Sequence, residues 1–300
     1  MTTADVTDLS QRRRERAAWT ELPYGRVPRG RHLDLDHGGT AFVRVAGEPS
    51  EQPPLLLLHG LGATGALNWA SCFEPLSRSA QVIAIDHRGH GRGPRVGNRF
   101  RLADCADDAA AVLRTLSTGP AIAVGYSMGG PIAQLLARRH PDLVAGLVLS
   151  ATARDFRGRP AERLRFGTIG LAAAAAAVGP AALAPPIPVL PGGLRPAGWA
   201  WSEVRRHEPT ALVAAAAALG RFTSRDWIGS LDVPASVLVH GRDRLVPPHR
   251  QHKLAGALPD ARVVEADLDH TGAGRDPQRY VAALQRAHAS VLDRLAQRAA

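Results

Sequence analysis

The sequence predicts an α/β protein: a mostly parallel, eight-stranded sheet with helices on both faces and a helical insertion near the middle of the chain. Three observations carry this. Short apolar runs bounded by turn residues recur along the chain, and most lack polar alternation, as expected of strands buried on both faces of a parallel sheet. Stretches of helical spacing separate them, so successive strands are joined by crossovers. About eighty residues between Thr152 and Ala235 then break the rhythm, far more than one crossover needs.

The elements follow in order. HLDLD (32–36) and TAFVRVAG (40–47), with His37 and two glycines between them, read as an antiparallel hairpin. PLLLLHG (54–60), QVIAIDHRG (81–89), AIAVGYS (121–127), VAGLVLSAT (144–152), ASVLVHGRD (235–243) and ARVVEAD (261–267) read as buried strands and complete the eight. Residues 102–116 carry apolar positions at helical spacing. Residues 128–139 continue as helix and stop before His140-Pro141, where the proline disfavours helix in the residue ahead of it. Asp276-Pro277 caps and opens a last helix over 277–296. The expected organisation is a polar N-terminal extension (1–29), a core (30–152 and 231–300) and a helical cap (153–230). An insertion after a strand's carboxyl end overlies the ligand crevice of such a sheet.

Composition narrows the function classes. With 45% hydrophobic residues the chain can bury a sizeable core. It carries 37 basic and 27 acidic residues, a formal +10, and Lys253 is the only lysine. The arginines are scattered rather than clustered, which reads as a solvated surface and not a nucleic-acid footprint. Cys72 and Cys105 set no disulfide framework and have no metal-ligand spacing. The polar N-terminus has no apolar h-region, so a cytoplasmic protein is expected. Phe166 to Leu194 contains no charge, but it is mostly alanine and glycine, and five prolines from Pro180 to Pro191 interrupt it. A buried or cleft-facing segment is expected there, not a membrane span.

GYSMGG (125–130) lies where a buried strand meets a helix. Gly125 and Gly129 leave room for a sharp turn that holds Ser127 in an unfavourable backbone conformation with its hydroxyl projected outward. The helix that follows aims amide N–H groups and the positive end of its dipole at the same place. A plain turn would explain the glycines alone; a serine nucleophile explains their position as well.

Across roughly residues 30–296 the chain resembles the α/β-hydrolase superfamily. The matching motifs are LLLHGLGATG (56–65), DHRGHG (86–91), GYSMGG (125–130), HGRDRLVP (240–247) and DLDHTG (267–272), in the family's order. The resemblance implies Ser127 as nucleophile, His270 as the base that takes its proton, and Asp243 as the carboxylate that orients the base. It also implies two backbone oxyanion donors: the amide of Met128, directly after the nucleophile, and that of Leu61, in a loop shaped by His59 and Gly60. Asp155, after the preceding strand, is the rival acid. His249 and His252 at a helix start, and His288 within the last helix, read as solvated. Gly93 departs from the family pattern, which often has serine there. Serine at 127 argues against haloalkane dehalogenase or epoxide hydrolase chemistry, which uses aspartate at that position.

The function expected is hydrolysis of a carboxylic ester, a small molecule with an apolar acyl or alcohol part, through an acyl-enzyme. A carbon–carbon bond hydrolase or a perhydrolase with the same triad is the alternative among enzymes; a ligand receptor on the same scaffold is the alternative outside them. No metal, no nucleic-acid partner and no transmembrane segment are expected; nor is a cofactor, since HGLGATG lacks both the dinucleotide fingerprint spacing and the lysine of a phosphate loop.

Overall fold

A computed structural model describes residues 19–22, 25–36, 38–158, 160–179 and 198–300, with the backbone alone for 160–166. Most of the predicted N-terminal extension (1–18) and the proline-rich half of the uncharged run (180–194) lie outside the described residues.

Strands β1 (Trp19–Leu22) and β2 (Gly25–Pro28) form a small antiparallel pair. The main sheet takes β3 (Gly30–Asp34), β4 (Thr40–Ala46), β5 (Leu55–Leu58), β6 (Val82–Asp86), β7 (Ala121–Tyr126), β8 (Val144–Ser150), β9 (Ala235–His240) and β10 (Ala261–Ala266) in the order β10-β9-β8-β7-β5-β6-β4-β3. β3 and β4 are antiparallel to their neighbours, and every other pairing is parallel. The eight-stranded, mostly parallel sheet is therefore as the sequence predicts.

The connecting helices are α1 (Gly65–Trp69), α2 (Phe73–Ser77), α3 (Leu102–Leu116), α4 (Gly129–Arg139), α8 (Pro248–Ala255), α9 (Gly272–Arg275) and α10 (Pro277–Ala299). Between β8 and β9 lie α5 (Pro160–Val178), α6 (Gly198–Val204) and α7 (Pro209–Arg221), the helical insertion. Leucines 55–58 are fully buried because helices cover both faces of β5, and separate apolar cores fill the two sides. The chain turns from β5 to β6 on one side and later adds β7 on the other, so β5 is the switch point of the sheet. A crevice opens outside the strand ends at such a point. Leu58 is in register with Gly125, which brings the loop after β5 alongside the turn after β7.

Three expectations need correction. β10 is an edge strand, only half covered, with Val263 43% exposed; its apolar run gave no sign of a missing neighbour. His288 is buried, not solvated: it lies four residues after Leu284 and three before Val291, both buried on the same face of α10. The described part of the uncharged run is not wholly buried, since Leu171 and Val178 are 59% and 68% exposed. The alanines of that run and of α7 serve helix packing. A Cβ on Gly170 of α5 would come within 2.5 Å of the Ala216 Cβ on α7, so the two helices approach as closely as small residues permit. Among the described residues no helix is long and apolar enough to cross a membrane.

Candidate active site

Ser127 is the residue after β7 and has φ = +51°, a left-handed conformation that a side chain disfavours. The turn is held by its own backbone: the Ser127 amide donates to the Ser150 carbonyl (3.0 Å), and its carbonyl accepts from the Gly130 amide (2.9 Å) and the Thr152 hydroxyl (2.8 Å). The glycines are there for space. A Cβ on Gly129 would stand 2.0 Å from the Leu58 carbonyl oxygen, and one on Gly125 would stand 2.4 Å from the Gly129 oxygen. Only bare backbone fits between β5, β7 and the first turn of α4.

The three predicted side chains come together across long stretches of sequence. His270, in the loop after β10, places Nε2 3.0 Å from the Ser127 Oγ. Its Nδ1 lies 2.7 Å from Asp243 Oδ2. Asp243 is buried after β9, and its other oxygen accepts the amides of Leu245 and Val246, both at 2.8 Å. With Asp243 accepting at Nδ1, the neutral imidazole carries its proton there and leaves Nε2 free to take the serine proton. The rival Asp155 is engaged with other partners: it is paired with Arg225 and accepts the Arg157 amide at 2.8 Å.

The loop after β5 supplies the opposite wall. A Cβ on Gly60 would lie 3.4 Å from the Ser127 Cβ, so the loop abuts the serine. The Ala63 amide donates to the Gly60 carbonyl (3.3 Å), closing a turn whose third residue, Gly62, has φ = +71°. That is the value a type II turn requires. Neither the Leu61 nor the Met128 amide has an acceptor among the described residues. Met128 follows Ser127 in the chain, and Leu61 follows Gly60, the residue that abuts the Ser127 Cβ. His59 is fully buried and shapes the turn: Nε2 accepts the His87 amide (3.0 Å), which puts the proton on Nδ1, and Nδ1 donates to the Gly60 carbonyl (2.8 Å). Burial holds this imidazole well below its ordinary pKa, so it is a neutral hydrogen-bonding group. Because the peptide unit is planar, fixing the Gly60 carbonyl also fixes the direction of the Leu61 N–H on the same plane. Gly93, the departure from the pattern, is confined: a Cβ would lie 2.2 Å from the His87 carbonyl oxygen and 2.5 Å from that of Asp86.

A polar island in the insertion escaped the sequence reading. Glu203, His207 and Glu208, around the end of α6, carry a buried dock against the loops after β5 and β6. Glu203 accepts Arg92 Nη1 at 2.7 and 2.9 Å. Glu208 accepts the amides of Val96 (2.9 Å) and Gly97 (2.8 Å). His207 accepts the Gly91 amide at Nδ1 (2.9 Å) and donates from Nε2 to the Gly62 carbonyl (3.1 Å). SEVRRHEP is the one polar stretch between the two alanine runs, and that contrast is the signal that would have found it. His59, His87, His90 and His207 thus lie close together, yet among the described residues no group of three His, Cys, Asp or Glu is arranged to hold a metal.

A family model described as alpha/beta hydrolase fold matches residues 53–168. The protein named "Putative carbamate hydrolase RutD" from Azorhizobium caulinodans is 31% identical over 248 residues, covering 77% of this chain and 88% of its own. The pimeloyl-[acyl-carrier protein] methyl ester esterase of Chromobacterium violaceum is 31% identical over 239 residues, covering 75% and 88%. Among solved structures, a thermophilic esterase from Thermogutta terrifontis superposes with a TM-score of 0.70 at 25% identity, covering 88% of this chain and 99% of that one.

Proposed function

The chain belongs to the α/β-hydrolase family, and from that premise we propose that it is a serine hydrolase that cleaves a carboxylic ester through an acyl-enzyme. The observation that carries the reading is the unbroken line from Asp243 through His270 to the Ser127 hydroxyl, with contacts of 2.7 and 3.0 Å. In this reading Ser127 Oγ attacks the acyl carbon as His270 Nε2 takes its proton. The carbonyl oxygen becomes an oxyanion held by the Leu61 and Met128 amides, and His270 returns the proton to the leaving alcohol. Water then repeats the sequence on the acyl-enzyme and releases the acid. Asp243 steadies the imidazolium.

The ester, rather than a strained ring ether or an alkyl halide, follows from the nucleophile. A serine alkoxide attacks an acyl carbon and leaves a hydrolysable ester. An apolar acyl part fits the wall beside the turn: the Ala173 Cβ of α5 lies 3.2 Å from where a Cβ on Gly62 would be. The insertion, about residues 153–230, serves in this reading as the cap over the crevice. A carbamate is the second reading, favoured by the relative named for that activity; it uses the same triad and differs in the leaving group.

The test is turnover of p-nitrophenyl esters from acetate to dodecanoate beside a p-nitrophenyl carbamate, with Ser127→Ala as control. Ester turnover that rises to about six or eight carbons, at roughly fourfold per methylene until the pocket is full, and that is abolished in the variant, supports the proposal. Faster carbamate turnover would replace the ester with the carbamate. No Ser127-dependent turnover of either would overturn the hydrolase reading.

A further inference from the structure

The dock described above does more than attach the insertion. The turn at 60–63 has two carbonyls held by histidine side chains, one from the core and one from the insertion. Gly60 O is held by His59 of the core (2.8 Å), and Gly62 O by His207 of the insertion (3.1 Å). Gly62 sits at φ = +71°, and a glycine by itself chooses freely among several backbone regions. The sequence thus places its most permissive residue in the turn that presents the Leu61 amide, and an outside group must remove that freedom.

His207 is built for this. It is 4% exposed, and both ring nitrogens are used. The Gly91 amide donates to Nδ1, so the proton must sit on Nε2, which faces the Gly62 carbonyl. Burial keeps the ring neutral, with its pKa pushed down to about 3, so this tautomer persists across the working pH range. Neighbouring contacts keep the ring in place: Glu203 is fully buried on Arg92, and Glu208 binds two amides of the loop after β6.

We infer that His207 is a positioning residue for oxyanion stabilisation: by holding the Gly62 carbonyl, the insertion sets the turn that aims the Leu61 amide at the reacting oxygen. The inference rests on the proposed serine hydrolase reading. It makes the α6 end of the insertion a fixed part of the catalytic device, seated during turnover rather than lifted as a lid.

The experiment is inactivation by a fluorophosphonate, whose phosphonyl oxygen needs the same donors, with kinact and KI resolved separately. Removing an oxyanion donor outright costs on the order of 10²–10³, so loosening one should cost less. His207→Leu is expected to lower kinact about 10- to 100-fold with KI within about twofold. His207→Gln, whose amide offers both an acceptor to Gly91 and a donor to Gly62, is expected to recover kinact to within about threefold of wild type. Val213→Ala, at a half-exposed position of α7 outside the dock, changes the insertion without touching the turn and is expected to leave kinact within about threefold. An undiminished kinact in His207→Leu, or an equal loss in Val213→Ala, would overturn the inference while leaving the nucleophile reading intact. If His207→Leu does not fold, the Gln variant decides: a loss above tenfold in a folded protein, measured by Tm, would contradict the role. Failure of wild type to react at all would remove the hydrolase reading and the inference with it.

Discussion

The Tyr126 hydroxyl donates to the backbone carbonyl of His270 at 2.5 Å. The residue next to the proposed nucleophile thereby anchors the loop that carries the proposed base. The carbonyl before it, Asp269 O, is held in turn by His240 Nδ1 at 2.8 Å, so two consecutive peptides of the loop are fastened to buried side chains at the ends of β7 and β9. The contact between His270 Nε2 and Ser127 Oγ is thus set by backbone anchoring as well as by Asp243.

Tyr126→Phe should reveal that anchoring. It keeps the ring among Trp69, His240 and Tyr280 but strands a carbonyl, a cost of about 1–3 kcal/mol. The expected result is a kcat about tenfold below wild type, because small displacements of catalytic groups are expensive. An unchanged kcat would mean that the Tyr126 hydroxyl takes no part in positioning the base.

The orienting carboxylate is tested by comparing Asp243→Asn with Asp155→Asn. The first should lose on the order of 10⁴ in kcat, since an amide at that place favours the wrong imidazole tautomer. The second should keep its activity, its side chain being engaged with Arg225 and the Arg157 amide. The reverse ranking would move the acid to the earlier strand.

Much of this was legible in the sequence, for reasons that differ by residue. β5 was plain because LLLL is buried on both faces, and Ser127 because a strand, a serine between glycines and a helix follow one another without a gap. His270 and Asp243 were legible through motif order. The dock was not, because its partners are remote in sequence: Glu203 meets Arg92 across 111 positions and His207 meets Gly62 across 145. Nor was the pair β1 and β2, whose four-residue strands carry no apolar alternation. His288 was misread although its spacing from Leu284 and Val291 placed it on the buried face of α10.

Close packing at the elbow predicts a steep cost for one methyl group. Gly129→Ala, with its Cβ 2.0 Å from the Leu58 oxygen, should destabilise the fold by about 1–3 kcal/mol or more in urea unfolding. Gly167→Ala in α5, where nothing lies within 4 Å, should be neutral or slightly stabilising. Equal effects at the two sites would contradict the packing described here.

The buried histidines predict acid sensitivity with a defined sign. Among the described residues His288 Nε2 has no partner, and burial holds its pKa at about 4 against an ordinary 6.5. Between those values the unfolded chain binds a proton that the folded chain refuses, so stability falls as pH drops through this window and is unaffected above it. His288→Leu should therefore gain about 2 kcal/mol relative to wild type on going from pH 7.5 to pH 5. His59, His87, His90, His207 and His240 are shifted in the same direction, so the variant keeps most of the remaining acid sensitivity. A stability difference from wild type that is the same at both pH values would contradict the assignment.

Peptide mapping after reaction with a fluorophosphonate tests the central claim most directly. The adduct mass is expected on Ser127 alone, with labelling lost in Ser127→Ala and slowed in His270→Ala by at least about 10³-fold, since losing the base alone removes most of what a triad contributes. An adduct on any other serine, or labelling of Ser127 that does not depend on His270, would contradict it.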